Sequence, residues 1–274
     1  MGVVTISRQI GSRGDEIGQL LVDRDGYACL NKELIESRFA RDGISPVSVE
    51  RYDERSPRFF RHFSRDKNTY LHFLKAAVYE CAREPNAVIM GRGAHLILAE
   101  VPGILSVRFI ATHATRVDRI MKKEGLTREL AEQMIAHSDS ERTGFHRFFF
   151  NANWEAPQSY DLVLNGDNLD DAAMVDIIMR AMNDLNRDDV RNRSREVLED
   201  LFLQQEIISQ VIYRDRIPVQ NLEVQCNHGR VQLRGMVMIE EHVALVEESA
   251  KKIKGVQEIH SEVYFIPSYT YVMR

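Results

Sequence analysis

The strongest constraint on the fold lies at the start of the chain. Val3-Val4-Thr5-Ile6 is apolar and β-branched, which predicts a strand. Ser7-Arg8-Gln9-Ile10-Gly11-Ser12-Arg13-Gly14 then predicts a turn. Asp15-Glu16-Ile17-Gly18-Gln19-Leu20-Leu21 has helical spacing, with two acids in the first turn, where the helix dipole favours negative charge. A strand feeding a glycine-bearing turn and a helix N-terminus is the arrangement in which backbone N–H groups cradle a phosphate. The consensus G-x-x-x-x-G-K-[ST] is not met, because Asp15 and Glu16 follow Gly14 where Lys and Ser or Thr would stand. The stretch carries the scaffold of a nucleotide site without its usual lysine.

Downstream, short apolar runs at residues 27–30, 87–90, 105–111 and 160–165 predict further strands. Helical spacing predicts helices that start at the N-cap Asn31 and that cover 69–83, 94–99, 115–124, 127–137 and 170–185. Residues 43–66, rich in Arg, Ser, Pro and Asp with Phe59, Phe60 and Phe63 interleaved, read as a mobile connector or short helices at a cleft rim. Apolar strands alternating with helices predict an α/β fold, a parallel sheet covered on both faces. Ligands of such sheets bind at the carboxyl ends of the strands. Gly11 to Gly14, Arg92 and Asn165 all fall there.

The pattern changes over residues 183–200, a charged boundary expected to be partly helical. A helix over 197–213, alternating strands at 222–226 and 231–237 around the turn Asn227-His228-Gly229-Arg230, a helix over 240–254 and a strand over 258–265 follow. This is an αββαβ unit, a small α+β domain. The chain is therefore read as two domains, 1–187 and 188–274.

The charge balance narrows the function classes. A formal net charge of −5 argues against a general nucleic-acid or anionic-membrane binder. The three cysteines are scattered without metal spacing, which suits reduced thiols in a cytoplasmic protein. The chain opens on a strand rather than a basic and then apolar leader, and its apolar runs fall far short of the roughly 20 residues of a membrane span. A cytoplasmic protein without membrane contact is expected. No histidine pair has metal-ligand spacing, so no protein metal site is expected, and Trp154 beside Pro157 reads as a loop anchor.

Phosphoryl transfer needs cations and N–H groups around the moving group, and little covalent chemistry from the protein. Several arginines lie where they could serve. Arg13 is in the glycine turn and Arg92 in Gly91-Arg92-Gly93 after a buried strand. Arg116 and Arg119 are three apart and share a helix face. Arg142 and Arg147 precede Phe148-Phe149-Phe150. Singly each reads as a surface arginine, but as a set they are better explained by a polyanionic ligand.

The run from Val4 to Ile17, Asn31-Lys32-Glu33-Leu34-Ile35, Val88-Ile89-Met90-Gly91-Arg92-Gly93-Ala94, Asp139-Ser140-Glu141-Arg142 and Tyr160-Asp161-Leu162-Val163-Leu164-Asn165 resemble, in order, the cytidylate kinase-like family. The resemblance implies a P-loop nucleoside-monophosphate-kinase fold and transfer of the γ-phosphate of ATP, with Mg²⁺, to CMP or dCMP. It implies that Gly11, Ser12, Arg13, Gly14, Asp15 and Glu16 hold donor phosphates and that Arg92, with Asn31 and Arg147, serves the acceptor. It also implies that Arg116, Arg119 and Arg142 are mobile cations closing over the phosphoryl group. The family tends to carry Arg where Asp15 stands and Asp where Asn31 stands. Arg13 is then the candidate substitute cation, and a nucleotide-sensing pseudokinase is the alternative to an active enzyme. Leu222-Glu223-Val224, the run from Gly229 to Gly235 and Gly255-Val256-Gln257-Glu258-Ile259 resemble a BON domain. Residues 190–274 hold 11 basic against 12 acidic residues, so no basic face for anionic lipid is expected, and a regulatory-ligand or homo-oligomer role is.

Overall fold

The computed structural model describes residues 2–25, 27–30 and 64–267. Its larger sheet holds β1 (Val3–Arg8), β2 (Ala28–Leu30), β3 (Ala87–Met90), β4 (Leu105–Ile110) and β5 (Leu162–Asn165) in the order β2-β3-β1-β4-β5. Every pairing is parallel. From β1 the chain crosses to β2 at the far edge, returns to β3 beside β1, and then builds on the β4 side, so the direction of winding reverses at β1. That reversal is where a doubly wound sheet opens its ligand crevice.

Alternation along the strands assigns the two faces. Val4, Ile6, Val88, Val107 and Phe109 pack against α1 (Gly14–Asp25) and, past β5, against the helix Asp171–Leu185. The opposite face, with Val3, Ala87 and Ile89, packs against α2 (Ser64–Ala82), the single turn α3 (Ala94–Ile97) and the long helix Arg128–Phe150. In chain order, α4 is His113–Glu124, α5 is Arg128–Phe150, α6 is Asp171–Leu185 and α7 is Asp188–Ile208. Each fully buried Leu, Ile or Phe contributes about 1.5–3 kcal/mol through burial.

Two expectations change. The helix placed over 127–137 runs on to Phe150, 23 residues in all. Gly144 does not stop it, because helix propensity is a weak force beside a buried face holding Ile135, Phe145 and Phe149. Asn151 ends it in a left-handed conformation with φ 51°. The charged boundary is likewise helical except at Asn186 and Arg187, which separate α6 from α7, and Leu198 of α7 belongs to the first core while Leu203 and Ile207 belong to the next.

The smaller sheet is β6 (Gln220–Asn227), β7 (Arg230–Val237) and β8 (Glu258–Phe265), in that order. β6 and β7 form an antiparallel hairpin, and α8 (His242–Lys251) carries the chain across to β8, which runs parallel to β7. His228 and Gly229, with φ 50° and 75°, are both left-handed, as a two-residue I′ turn requires. Asp200 of α7 accepts from both of their N–H groups, at 2.9 and 3.3 Å. The αββαβ order is as read from the sequence. Among the described residues no helix is long and apolar enough to cross a membrane. Asn31, residues 43–63 of the connector and the last seven residues lie outside the described residues.

Candidate active site

The loop after β1 is shaped by its own backbone. Gln9 N–H donates to the Phe109 carbonyl at 3.1 Å, which ties the loop to β4. The Gln9 carbonyl accepts from Ser12 N–H and from Ser12 Oγ, at 3.2 and 2.7 Å. Gly11 and Arg13 are left-handed, φ 77° and 73°. At Arg13 this conformation costs a residue with a Cβ about 1–2 kcal/mol. Gly14 lies so close to Arg8 that an added Cβ would stand 2.5 Å from the Arg8 Cβ. The first-turn N–H groups of α1, those of Gly14, Asp15 and Glu16, have no intrahelical acceptor and face the loop.

Arg116 and Arg119 set which way the loop faces. Arg116 Nε donates to the Ile10 carbonyl at 2.8 Å, and its fork holds both Asp139 oxygens at 2.8 Å. Its side chain is only 4% exposed. Arg119 donates to the carbonyls of Gly11 (3.1 Å) and Gly166 (2.6 Å). Two loop carbonyls are thereby turned toward α4. Both arginines, expected from the family resemblance to close over the phosphoryl group, here donate to loop carbonyls.

The remaining sequence candidates are distributed around this loop. Arg13 Nη2 donates to Asp171 at the start of α6 at 2.6 Å. Arg142 lies on α5 within the electrostatic reach of Asp15, its guanidinium 5.9 Å from the centre of the Trp154 ring. Arg92 sits in a turn whose three residues, Gly91, Arg92 and Gly93, all have positive φ, and its Nη1 donates to Tyr70 Oη at 3.1 Å. Gly93 is required there, since a Cβ would stand 2.3 Å from the Phe150 ring. Arg147 is exposed on α5. Asn31 lies outside the described residues.

The sequence did not disclose the ion pairs at the mouth. Arg8, the last residue of β1, donates from Nε to Asp15 at 2.7 Å. Burial pulls the Asp15 carboxyl up, but the Arg8 guanidinium, with Arg142 and Lys123, outweighs it and holds the carboxyl below its ordinary value. Lys123 Nζ donates to Glu16 at 3.2 Å, and this bond pushes the Lys123 ammonium up. Gly11, Arg13, Asp15, Glu16, Arg119 and Lys123 line a cleft of about 590 Å³.

Behind the loop, Trp154 is the anchor that its neighbourhood suggested, 1% exposed. Its Nε1 donates to Ser7 Oγ at 2.9 Å, and its carbonyl accepts from Arg108 at 2.7 Å and Tyr160 Oη at 2.9 Å. Arg108 lies 4.2 Å over its ring and is 3% exposed. Among the described residues no group of three or more His, Cys, Asp or Glu is placed to hold a metal ion.

The fold and the loop agree with the comparisons to known proteins. Cytidylate kinase of Pyrococcus horikoshii is 23% identical over 185 residues, 67% of this chain and 90% of that protein. Uronate isomerase of Corynebacterium glutamicum is 33% identical over 92 residues, 34% of this chain but only 18% of that protein's length. The crystal structure of an uncharacterized protein from Eubacterium ventriosum superposes with a TM-score of 0.52 at 24% identity, covering 67% of this chain and 98% of the other. Residues 200–267 match the BON domain. Residues 3–168, more than half of the chain, match the cytidylate kinase-like family, and the protein belongs to that family.

Proposed function

We propose that this protein transfers the γ-phosphoryl group of ATP to CMP, dCMP or a related nucleoside monophosphate. The observation that carries the reading is the orientation of the loop. With the Ile10 and Gly11 carbonyls engaged by Arg116 and Arg119 and the Ser12 N–H turned to the Gln9 carbonyl, the N–H groups of Gly11 and of Arg13 to Glu16 are left for donor phosphates, at the same sheet edge as the Arg92 turn. An acceptor phosphate oxygen attacks the γ-phosphorus, the bond to the bridging β–γ oxygen breaks, and ADP leaves. Positioning and positive charge are what the protein supplies. Arg142 and the loop cations Arg8 and Arg13 balance donor charge, and Arg92, Asn31 and Arg147 serve the acceptor. Mg²⁺ arrives with ATP, held chiefly by phosphate oxygens and water. In this reading the kinase-like unit is 1–187 and the BON-like unit 188–274.

The test is ADP release with ATP, Mg²⁺ and a panel of nucleoside monophosphates, beside calorimetric titration of each nucleotide. Absence of binding by every nucleotide would sink the reading. Arg92→Ala is expected to weaken acceptor binding about tenfold, the loss of one charge-assisted contact, and to leave ATP affinity within twofold. Equal loss for both would remove Arg92 from the acceptor side.

A second reading, a nucleotide-sensing pseudokinase acting through the BON domain, is favoured by the Arg8–Asp15 pair. A carboxylate held ionised at the helix N-terminus occupies ground that a donor phosphate needs, and it engages a cation that could meet one. Asp15→Asn keeps the shape and releases Arg8. ATP is expected to bind about tenfold tighter to this variant, a gain of about 1.4 kcal/mol. Turnover in Asp15→Asn but not in the natural chain would establish the second reading. Unchanged ATP affinity would place Asp15 outside the donor site.

A further inference from the structure

The geometry points to the outer edge of β8 as a homodimer interface, where two copies of this chain join antiparallel strands about Ser261 into one six-stranded sheet. Among the described residues β8 is paired on one side only, to β7. Hydrogen bonds show which backbone groups face outward. Ile266 N–H donates to the Val237 carbonyl, so even-numbered residues of the strand face β7. Val263 N–H instead reaches back to its own strand's Ser261 Oγ at 3.4 Å, so Ile259, Ser261, Val263 and Phe265 present their N–H and C=O groups to the open side. Two neighbouring outward N–H groups are 6–7 Å apart in any strand, the spacing that a partner strand reads.

The two edges of the sheet are not equivalent. β6 has a register irregularity between Gln220 and Glu223, the kind of bulge that turns an edge away from new partners. β8 keeps unbroken register with β7 from Glu258 to Phe265 and carries neither Lys nor Pro. It therefore lacks the bulge, lysine and proline that blunt many exposed edges, and its charges are Glu258 and Glu262 alone.

The charge pattern selects the occupant and the register. Ile259 and Val263 point to the core, while Glu258, His260, Glu262 and Tyr264 point to solvent. Two copies of β8 run antiparallel keep this division of faces only if residue numbers of opposed pairs sum to an even value. Centring on residue 260 sets Glu258 against the partner's Glu262, twice. Centring on residue 262 sets Glu262 against the partner's Glu262. Centring on Ser261 opposes His260 to the partner's Glu262 twice, Glu258 to the partner's Tyr264, and Ile259 to the partner's Val263. It also makes the outward residues the hydrogen-bonded pairs, so the His–Glu oppositions fall in non-hydrogen-bonded pairs, where side chains approach most closely. The exposed apolar residues Tyr264, Phe265 and Ile266 come to lie beside the second copy. The contact is isologous and closes at two chains.

The full chain is expected to sediment at twice the monomer mass at tens of micromolar. His260→Glu sets two pairs of like charges across the axis and is expected to raise the dimer dissociation constant about tenfold or more. His260 is an exposed side chain whose Nε2 lies 3.4 Å from Glu262 of its own strand, so the variant's unfolding midpoint measured as monomer should fall only slightly, as for the loss of a surface pair. Ser261→Cys places two thiols on the axis, where Cα atoms of a hydrogen-bonded pair stand about 5.5 Å apart, within disulfide range. Mild oxidation should link that variant into covalent dimers, and should not link Gln225→Cys on the bulged β6 edge. The native Cys226 thiol, pushed up to about 12 by burial and by Asp200, stays protonated in this assay. A monomer at those concentrations overturns the proposal. So does a dimer that His260→Glu leaves unchanged, or one cross-linked by Gln225→Cys and not by Ser261→Cys.

Discussion

Arg116→Ala is expected to lower the unfolding free energy by about 3 kcal/mol, the order found when one partner of a buried ion pair is removed, and to abolish measurable ATP binding. The side chain joins three elements: the Ile10 carbonyl of the loop, α4 on which it sits, and Asp139 on α5. Its removal leaves the Asp139 carboxylate without its fork and the loop carbonyl without its donor. Asp139 is partly solvated, which holds the loss below the upper end for buried pairs. Arg116→Lys keeps the charge but cannot hold two oxygens and a carbonyl at once, so it should fall between alanine and the natural residue. Arg119→Ala separates orientation from stability. It gives up two bonds to carbonyls, about 1–2 kcal/mol, and should weaken ATP binding with a smaller change in unfolding midpoint. Urea unfolding and calorimetric titration read the two quantities. An Arg116→Ala protein that binds ATP with natural affinity would show that the loop's orientation does not depend on this clamp.

What the sequence disclosed of the site was its local part. The strand, the glycine turn and the helix start at Gly14 lie within eighteen residues, and each follows from local rules: β-branched residues in β1, positive φ at Gly11, acids at the N-terminus of α1. The Gly91-Arg92-Gly93 turn was visible for the same reason. The partners were not visible, because they are distant in sequence. Arg13 meets Asp171 across 158 positions, and Lys123 meets Glu16 across 107. Arg8 and Asp15 are only seven apart, yet the bend of the loop, and not any periodicity, brings them together. The full length of α5 was missed because His137 to Phe150 mixes polar and aromatic residues without clean spacing. Its buried face is set by the sheet and by α2, which a local reading does not contain.

Trp154 illustrates the same limit and carries the other large effect. Trp154→Ala is expected to cost about 3–5 kcal/mol, the range for deleting a buried aromatic side chain. The loss has a polar part as well. Arg108 is 3% exposed, and among the described residues no ion pair to a carboxylate holds it. Its charge is met by the Trp154 ring and carbonyl and by Tyr160. Without the ring, a buried guanidinium loses its cation–π partner and faces a cavity. Trp154→Phe isolates the indole N–H. It keeps most of the packing and removes one bond to Ser7, whose hydroxyl still has Tyr160 Oη as a partner at 3.2 Å, so it should cost only about 1 kcal/mol. Ser7 precedes Arg8, the residue that holds Asp15, so the alanine variant should also loosen the phosphate loop and weaken ATP binding while the phenylalanine variant leaves it within twofold. Equal destabilisation by both variants would mean that the hydrogen bond, not the ring, carries the anchor. Natural ATP affinity in a folded Trp154→Ala protein would uncouple this cluster from the loop, leaving Arg116 and Arg119 as the groups that orient it.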